Sequence, residues 1–239
     1  MTDPAFPRPS STVVLARAGG HGPELFMVRR PAKASFGDVY VFPGGVLDKE
    51  DSVVHDACSG VSEAYANRLL HVDAGGLDYY SAAIRELFEE AGVLLADNDL
   101  TKRELAESRD ALNEGELMWD RFVHENSLTL RYDSLHYFSH WITPEVLPKR
   151  YSTRFFVAEL PPGQQAEYDR RELTASVWTT AADAIASSEV PLHFPTRSNM
   201  EPMVPHRSVK ELIAWADGCA ECGVEAVSPM PPPDSELIS

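Results

Sequence analysis

The sequence predicts an α/β domain, in which strands and helices are interspersed along the chain. Two apolar runs, at 12–17 and 24–29, flank a cluster of glycines, which is typical of a hairpin. Apolar residues at helical spacing over 78–91 predict an amphipathic helix. Three further strand-like runs follow, at 135–142, 154–160 and 175–179. This mixture of elements indicates a layered α/β fold.

The remaining elements are predicted in chain order. A short apolar run at 39–42 stops at Pro43-Gly44-Gly45. The helix at 78–91 is followed by Gly92, which suits the end of a helix. A charge-rich helical block at 100–125 is interpreted as a surface insertion. Late helices are predicted at 180–187 and 208–216.

The length of 239 residues fits one domain with insertions. We predict a single domain over 10–222, with insertions at about 49–77 and 97–130. The proline-rich ends, 1–9 and 223–239, are predicted to be disordered tails. No apolar run reaches the ~20 residues of a membrane helix, and the start does not resemble a signal peptide. We therefore expect a cytoplasmic protein without membrane association.

The charge balance is strongly acidic. Lysine and arginine together number 21, aspartate and glutamate 37, and the formal net charge is −16. Such a surface repels nucleic acid polymers, so we expect none as a partner. It also repels small phosphate compounds. A site that handles phosphate would therefore need a local divalent cation.

Three cysteines are too few for a disulfide scaffold. Cys219 and Cys222 form a lone C-x-x-C without a second pair nearby. A tetrahedral zinc site needs four ligands, so we favour an incidental pair of thiols over zinc.

The predicted helix at 78–91 carries three carboxylates, Glu86, Glu89 and Glu90, at i, i+3 and i+4. They share a face opposite the apolar stripe, with Arg85 placed to brace Glu89. Such carboxylates repel one another, and Mg²⁺ would relieve the repulsion through oxygen ligands. The alternative is a solvated acidic face. The preceding Gly44-Gly45 favours a site, because glycines allow a ligand to approach the backbone closely.

The run 85–93 resembles the second half of the Nudix box, R-E-U-x-E-E-x-G-U, at every fixed position. Gly45 opens the first half, G-x5-E, and its acid falls on Asp51. The family has seven residues between this acid and the arginine. Here there are 33, from Ser52 to Ile84, so an insert interrupts the box. Because 52–76 supplies no box ligand, we expect that shortening it would leave the fold intact.

A split box of this kind resembles the coenzyme-A diphosphatase branch related to the mammalian peroxisomal enzyme. The likeness covers roughly 10–215 and implies an α/β/α sandwich around a mixed sheet. Further stretches that fit this branch are 42–48, 140–144, 154–156, 161–163, Glu172 before Trp178, Leu192 and 194–196.

The resemblance implies a role for each matching residue. Glu86, Glu89 and Glu90, with the carbonyl of Gly45, would hold Mg²⁺ or Mn²⁺. Glu86 would also orient or deprotonate the attacking water, and Arg85 would fix the carboxylates.

Two further acids have open alternatives. Glu172 is the candidate for a late loop acid of the active site, and could instead be one of several exposed acids. Asp51 could equally be solvated or cap a helix.

The resemblance suggests coenzyme A or acyl-coenzyme A as substrate, cleaved to 3′,5′-ADP and phosphopantetheine. The upstream motif of such enzymes is matched only in part: Arg29 and Arg30 could contact phosphates or merely flank a strand, and Lys33 is the nearest cation to a missing arginine. ADP-ribose or a dinucleotide remains an alternative substrate. A non-catalytic ligand-binding module is a second alternative. A small nucleotide-like partner is expected, and a homodimer is considered.

Overall fold

The computed structural model describes residues 5–32 and 37–229; the expectations for 1–4, Lys33 and 230–239 lie outside these ranges. Their strands are β1 (Arg8–Gly19), β2 (Gly22–Arg29), β3 (Tyr40–Val41), β4 (Gly44–Val46), β5 (Cys58–Ser59), β6 (Ala96–Asp97), β7 (Thr129–Arg131), β8 (His136–Ile142), β9 (Tyr151–Glu159), β10 (Ala175–Thr180) and β11 (Ala226–Val227). The helices are α1 (Glu63–Leu70), α2 (Gly76–Ala91), α3 (Lys102–Asn113), α4 (Trp119–Glu125), α5 (Ala181–Ala186), α6 (Phe194–Met200) and α7 (Val209–Cys222).

The main sheet has the order β10-β2-β1-β9-β8-β11, with β3 paired to β2 and β4 to β1. β1 runs parallel to β9 and antiparallel to β2 and β4, so the sheet is mixed, as expected. β1 is longer than its predicted apolar run because its N-terminal half is also bonded, with Ser11 opposite Gly45 and Arg154. A small second sheet has the order β5-β7-β6.

Alternation along the strands gives the sheet two apolar faces. Val13 and Phe156 belong to the core cluster on the α2 side. Val14 and Val157, one residue further along each strand, belong to the cluster that contains Leu212 of α7. Helices therefore cover both faces, and the predicted α/β/α sandwich is confirmed.

The insert at 52–76 is part of the core, contrary to the expectation drawn from the interrupted box. Val54, Ala66 and Leu70 are completely buried. Arg154 in the sheet donates a hydrogen bond to the Leu70 carbonyl at 3.1 Å. Apolar side chains spaced along a short helix gave too weak a signal to show that α1 packs against α2.

The second insertion also departs from its interpretation as a surface element. α3 is largely exposed, but Trp119, Phe122 and Val123 of α4 are buried. The Phe122 ring stacks on Phe88 of α2 at 5.3 Å between centroids. α4 thus forms part of the wall around the helix that carries the carboxylates.

Parts of the predicted tails are ordered as strands. Arg8 and Pro9 belong to β1 and lie opposite Tyr151 and Ser152 of β9. β11 pairs in parallel with β8 at the edge of the main sheet. None of the helices within the described ranges is long and apolar enough to cross a membrane.

Candidate active site

The carboxylates lie on α2, and a glycine with left-handed backbone stands at each end of this helix. Gly75 precedes the helix with φ of 73°, and Gly92 ends it with φ of 68°, where its N–H donates to the Phe88 carbonyl. The predicted apolar stripe is buried. The opposite face is covered too, because β4 lies against it and Glu90 is only 9% exposed. The alternative of a solvated acidic face is therefore wrong for Glu90.

The Arg85 guanidinium is the centre of the cluster. Nη1 donates to Glu86 at 2.8 Å and to Glu89 at 3.0 Å. Nη2 donates to the Val46 carbonyl at 3.0 Å. Burial disfavours the charged guanidinium, but the surrounding carboxylates outweigh it and raise the pKa of Arg85. The sequence predicted the contact with Glu89, and the structure adds the others.

Asp51 is the fourth acid of this cluster, and sequence reasoning left its role open. It is fully buried and accepts hydrogen bonds from Arg85 Nε at 3.1 Å and Nη2 at 3.0 Å. Asp51 also accepts a hydrogen bond from the Asp48 N–H at 2.8 Å. This bond is part of a capping box at the start of the 3₁₀ turn Lys49–Val53, in which Asp48 is the N-cap residue. Burial raises the pKa of Asp51, and the Arg85 charge opposes that rise. Its spacing of six from Gly45 was the signal in the sequence.

The two glycines of β4 touch the carboxylates directly. The Gly44 N–H donates to Glu90 at 3.0 Å. A Cβ added to Gly45 would lie 2.4 Å from a carboxylate oxygen of Glu86, so a side chain at this position would displace that group. We expected a ligand or ion to approach the backbone closely at these glycines. In this structure, the groups that approach it closely are carboxylates of the protein itself.

The pKa values of the three glutamates of the cluster are raised, chiefly by burial. Burial, together with the charge of Glu86, raises the pKa of Glu90 to about 8. Burial likewise raises the pKa of Glu89 to about 7, against the opposing charge of Arg85. The pKa of Glu86 is also raised, again chiefly by burial. At neutral pH the cluster retains protons that an additional cation would displace.

The donor chemistry fits a hard divalent ion. Glu86, Glu89 and Glu90 offer oxygen ligands, which Mg²⁺ and Mn²⁺ prefer. Within the described residues no three acidic, histidine or cysteine side chains are preassembled as a metal cluster. Arg85 instead binds one oxygen each of Glu86 and Glu89.

Glu172 lies on an exposed loop within electrostatic reach of the cluster, where its charge raises the pKa of both Glu86 and Glu90. The loop is attached to the end of α2 by the Asp169 N–H, which donates to the Glu90 carbonyl at 3.0 Å. Asp169 itself is buried and paired with Arg171 at 3.2 Å. Of the acids in this loop, Glu172 therefore remains the candidate.

The two candidate arginines separate. Arg30 lies near the carboxylates, and its charge lowers the pKa of Glu90 against the effect of burial. Arg29 instead pairs with Asp38 at 2.7 Å and lies over the Tyr40 ring. The structure thus brings Arg30 to the site, but not Arg29.

A cavity of about 240 Å³ lies next to β4. Gly44, Gly45 and Arg30 line it, so it meets the carboxylate cluster at the glycine strand. Trp141 and Phe194 also line it, with ring centroids 5.8 Å apart in an edge-to-face contact. From the sequence, the stretches 140–144 and 194–196 are notable only for their resemblance to the coenzyme-A diphosphatase branch. The structure places residues of both stretches in the lining of this cavity.

Cys219 and Cys222 lie at the end of α7, far along the chain from the carboxylates of α2. Cys219 is half-buried and Cys222 is exposed, and both are free thiols. Burial raises the pKa of Cys219.

Comparisons with known proteins agree with this architecture. A family model described as the NUDT19 Nudix domain matches residues 65–191. The chain is 22% identical to acyl-coenzyme A diphosphatase NUDT19 of Xenopus laevis, over 88% of this chain and 70% of that protein. It is 30% identical to a Caenorhabditis elegans protein named nudix hydrolase 7, over 56% of this chain but only 38% of that one.

The fold has a solved counterpart. A crystal structure of a Nudix hydrolase from Alicyclobacillus acidocaldarius superposes with a TM-score of 0.68 at 22% identity, covering 88% of this chain and 96% of the other. This likeness concerns the fold, whereas the family match covers more than half of the sequence. The chain therefore belongs to the Nudix family, in its NUDT19 domain group, and is a hydrolase acting on pyrophosphate bonds.

Proposed function

We propose that this hydrolase is a Mg²⁺- or Mn²⁺-dependent diphosphatase of coenzyme A or acyl-coenzyme A, with 3′,5′-ADP and a phosphopantetheine as products. The observation that carries the proposal is the position of β4. Gly45 touches the carboxylate of Glu86 and also borders the apolar cavity. A diphosphate lying across β4 would meet the carboxylates while the rest of the substrate enters the cavity. The name of the frog relative supports this substrate class.

Each residue of the site is assigned a separate role in the proposed reaction. Glu86, Glu89 and Glu90, with the carbonyl of Gly45, would hold the cation. When bound, that cation would neutralise the diphosphate and make an attacking water more acidic.

Glu86 accepts the proton of the attacking water, because its carboxylate is held beside Gly45 by the hydrogen bond from Arg85 at 2.8 Å. The water oxygen forms a bond to one phosphorus while the bridging oxygen leaves with the other phosphate. Arg85 acts as a positioning residue for Glu86 and Glu89. Arg30 is the candidate phosphate contact, and Glu172 is the candidate second acid.

The proposal is tested by an activity screen of the purified protein against coenzyme A, acyl-coenzyme A esters, ADP-ribose, NADH and dinucleoside polyphosphates. Each is assayed with Mg²⁺, with Mn²⁺ and after chelation, with products identified by mass spectrometry. We expect turnover of coenzyme A compounds only with metal. Glu90→Gln should reduce turnover by about 10²–10³-fold, as the loss of a preorganised charge contact does. Glu107→Gln, on the exposed face of α3, is the matched control.

Each other outcome would overturn part of the proposal. Equal activity after exhaustive chelation would exclude the metal mechanism. A preference for ADP-ribose or a dinucleotide would replace the substrate class. Turnover of no diphosphate at all would favour a ligand-binding module, although the intact Glu86, Glu89 and Glu90 argue against one.

A further inference from the structure

We propose that the cavity beside β4 binds the uncharged half of the substrate, the pantetheine chain with its acyl group. The enzyme would thereby prefer acyl-coenzyme A to unesterified coenzyme A. This inference rests on the proposed function and adds which half of the substrate enters the cavity, and which residue limits its length.

The lining of the cavity is mainly apolar. Its polar side chains carry hydroxyls, apart from Arg30, His193 and the indole N–H of Trp141. Burial, assisted by the charge of Arg30, lowers the pKa of His193 to about 4, so the imidazole is neutral at pH 7. Among the lining residues that the structure describes, Arg30 thus carries the one full charge. Apolar side chains in the lining include Val41, Phe42, Trp141, Ile142, Leu147 and Phe194.

The two halves of coenzyme A make opposite demands on such a cavity. The nucleotide half carries a 3′-phosphate, and burying this charge without cationic partners is costly. Arg30 cannot serve it well, because Arg30 lines the cavity together with Gly44 and Gly45 and is already the candidate contact for the diphosphate. The pantetheine and acyl half is uncharged and gains free energy by entering an apolar space. The cavity therefore suits the second half.

Leu147 is the residue through which this idea can be tested. It lies in the turn that connects β8 and β9, is half-buried, and lines the cavity. The turn is held in place, since the Leu147 N–H donates to the Pro144 carbonyl at 3.2 Å and Arg150 Nε to the Thr143 carbonyl at 3.0 Å. Its neighbour Val146 is 70% exposed and does not line the cavity. The two positions form a matched pair on one turn.

The experiment measures kcat/KM for coenzyme A and for acyl esters of increasing length, in wild type, Leu147→Trp and the control Val146→Trp. For wild type we expect kcat/KM to rise by about fourfold for each methylene that the cavity buries, and then to level off. Leu147→Trp fills part of the cavity, so its rise in kcat/KM should end at shorter acyl chains than in wild type. Val146→Trp should keep the wild-type profile. Circular dichroism and thermal melting establish that both variants are folded.

Competition identifies which half is bound. Leu147→Trp should weaken inhibition by an S-acyl pantetheine and leave inhibition by 3′,5′-ADP unchanged. The reverse pattern would overturn the inference by assigning the cavity to the nucleotide. Hydrolysis of coenzyme A with a chain-length profile that Leu147→Trp does not alter would overturn this inference alone. Hydrolysis of neither coenzyme A nor its esters would overturn it together with the proposed function.

Discussion

Asp51 accepts two hydrogen bonds from Arg85, at 3.1 Å and 3.0 Å, although 34 positions separate the two residues along the chain. Further hydrogen bonds connect this pair of residues to the second insertion. Ser81 Oγ donates to Asp51 at 3.1 Å and accepts the indole N–H of Trp119, also at 3.1 Å. Asp51 lies near the start of the first insertion, and the second insertion supplies Trp119. Both insertions thus support the arginine that holds Glu86 and Glu89.

Asp51→Asn should harm both stability and activity. The change leaves the buried Arg85 with one charged partner fewer, and breaking a buried pair typically costs about 3–5 kcal/mol. Denaturant unfolding measures this loss. Asp56→Asn, in the same insertion but with a side chain 76% exposed, is the control and should have little effect. Equal stabilities for the two variants would show that the Asp51–Arg85 pair contributes nothing.

Arg85→Lys should reduce kcat by about 10- to 100-fold, as is typical when a residue that orients metal-binding side chains is altered. A lysine ammonium cannot reach two glutamates, Asp51 and the Val46 carbonyl at once, because it lacks the planar fork of donors. Steady-state kinetics together with Mg²⁺ titration would check the effect. Wild-type activity in this variant would mean that the arginine does not position the carboxylates.

Glu90→Gln should change how stability depends on pH in the absence of metal. With a pKa of about 8 when folded and an ordinary value of 4.5, Glu90 binds more protons in the folded state over this interval. The free energy of unfolding therefore falls as the pH rises from about 5 to 8. Glutamine does not titrate, so the variant should lose less stability across this range.

Thermal melts in chelator at pH 5.5, 7 and 8.5 measure this difference, with Glu107→Gln as the control that keeps the wild-type slope. Adding Mg²⁺ at pH 8.5 should stabilise wild type more than Glu90→Gln. Identical slopes for wild type and Glu90→Gln would contradict the raised pKa of Glu90.

Leu70→Ala tests whether the insert holds the fold together. The Leu70 side chain is fully buried in the core cluster on the α2 side of the sheet. Removing such a side chain costs about 2–5 kcal/mol through lost burial and the cavity left behind. Tyr65→Ala on the same helix, where the side chain is 43% exposed, should cost much less. Stability measured by denaturant titration would be equal in both variants if the insert were only a surface loop.

Local spacing determined a great deal about this protein. Apolar periodicity predicted α2 nearly to its ends, and the i, i+3, i+4 pattern placed Glu86, Glu89 and Glu90 on one face. Alternation and turn residues predicted the main strands. These features could be predicted because a residue's direction from its own helix or strand depends only on backbone geometry.

What lies opposite such a face is decided by packing between distant parts of the chain. Nothing local to Glu90 indicates that Gly44 covers it, and nothing near Asp51 indicates that it meets Arg85. The apolar cavity likewise draws on Arg30, Gly45, Leu147 and Phe194, which come from four separate segments. The sequence alone therefore determined which carboxylates the helix presents. Only the tertiary structure decided their burial, and burial is the main cause of their raised pKa values.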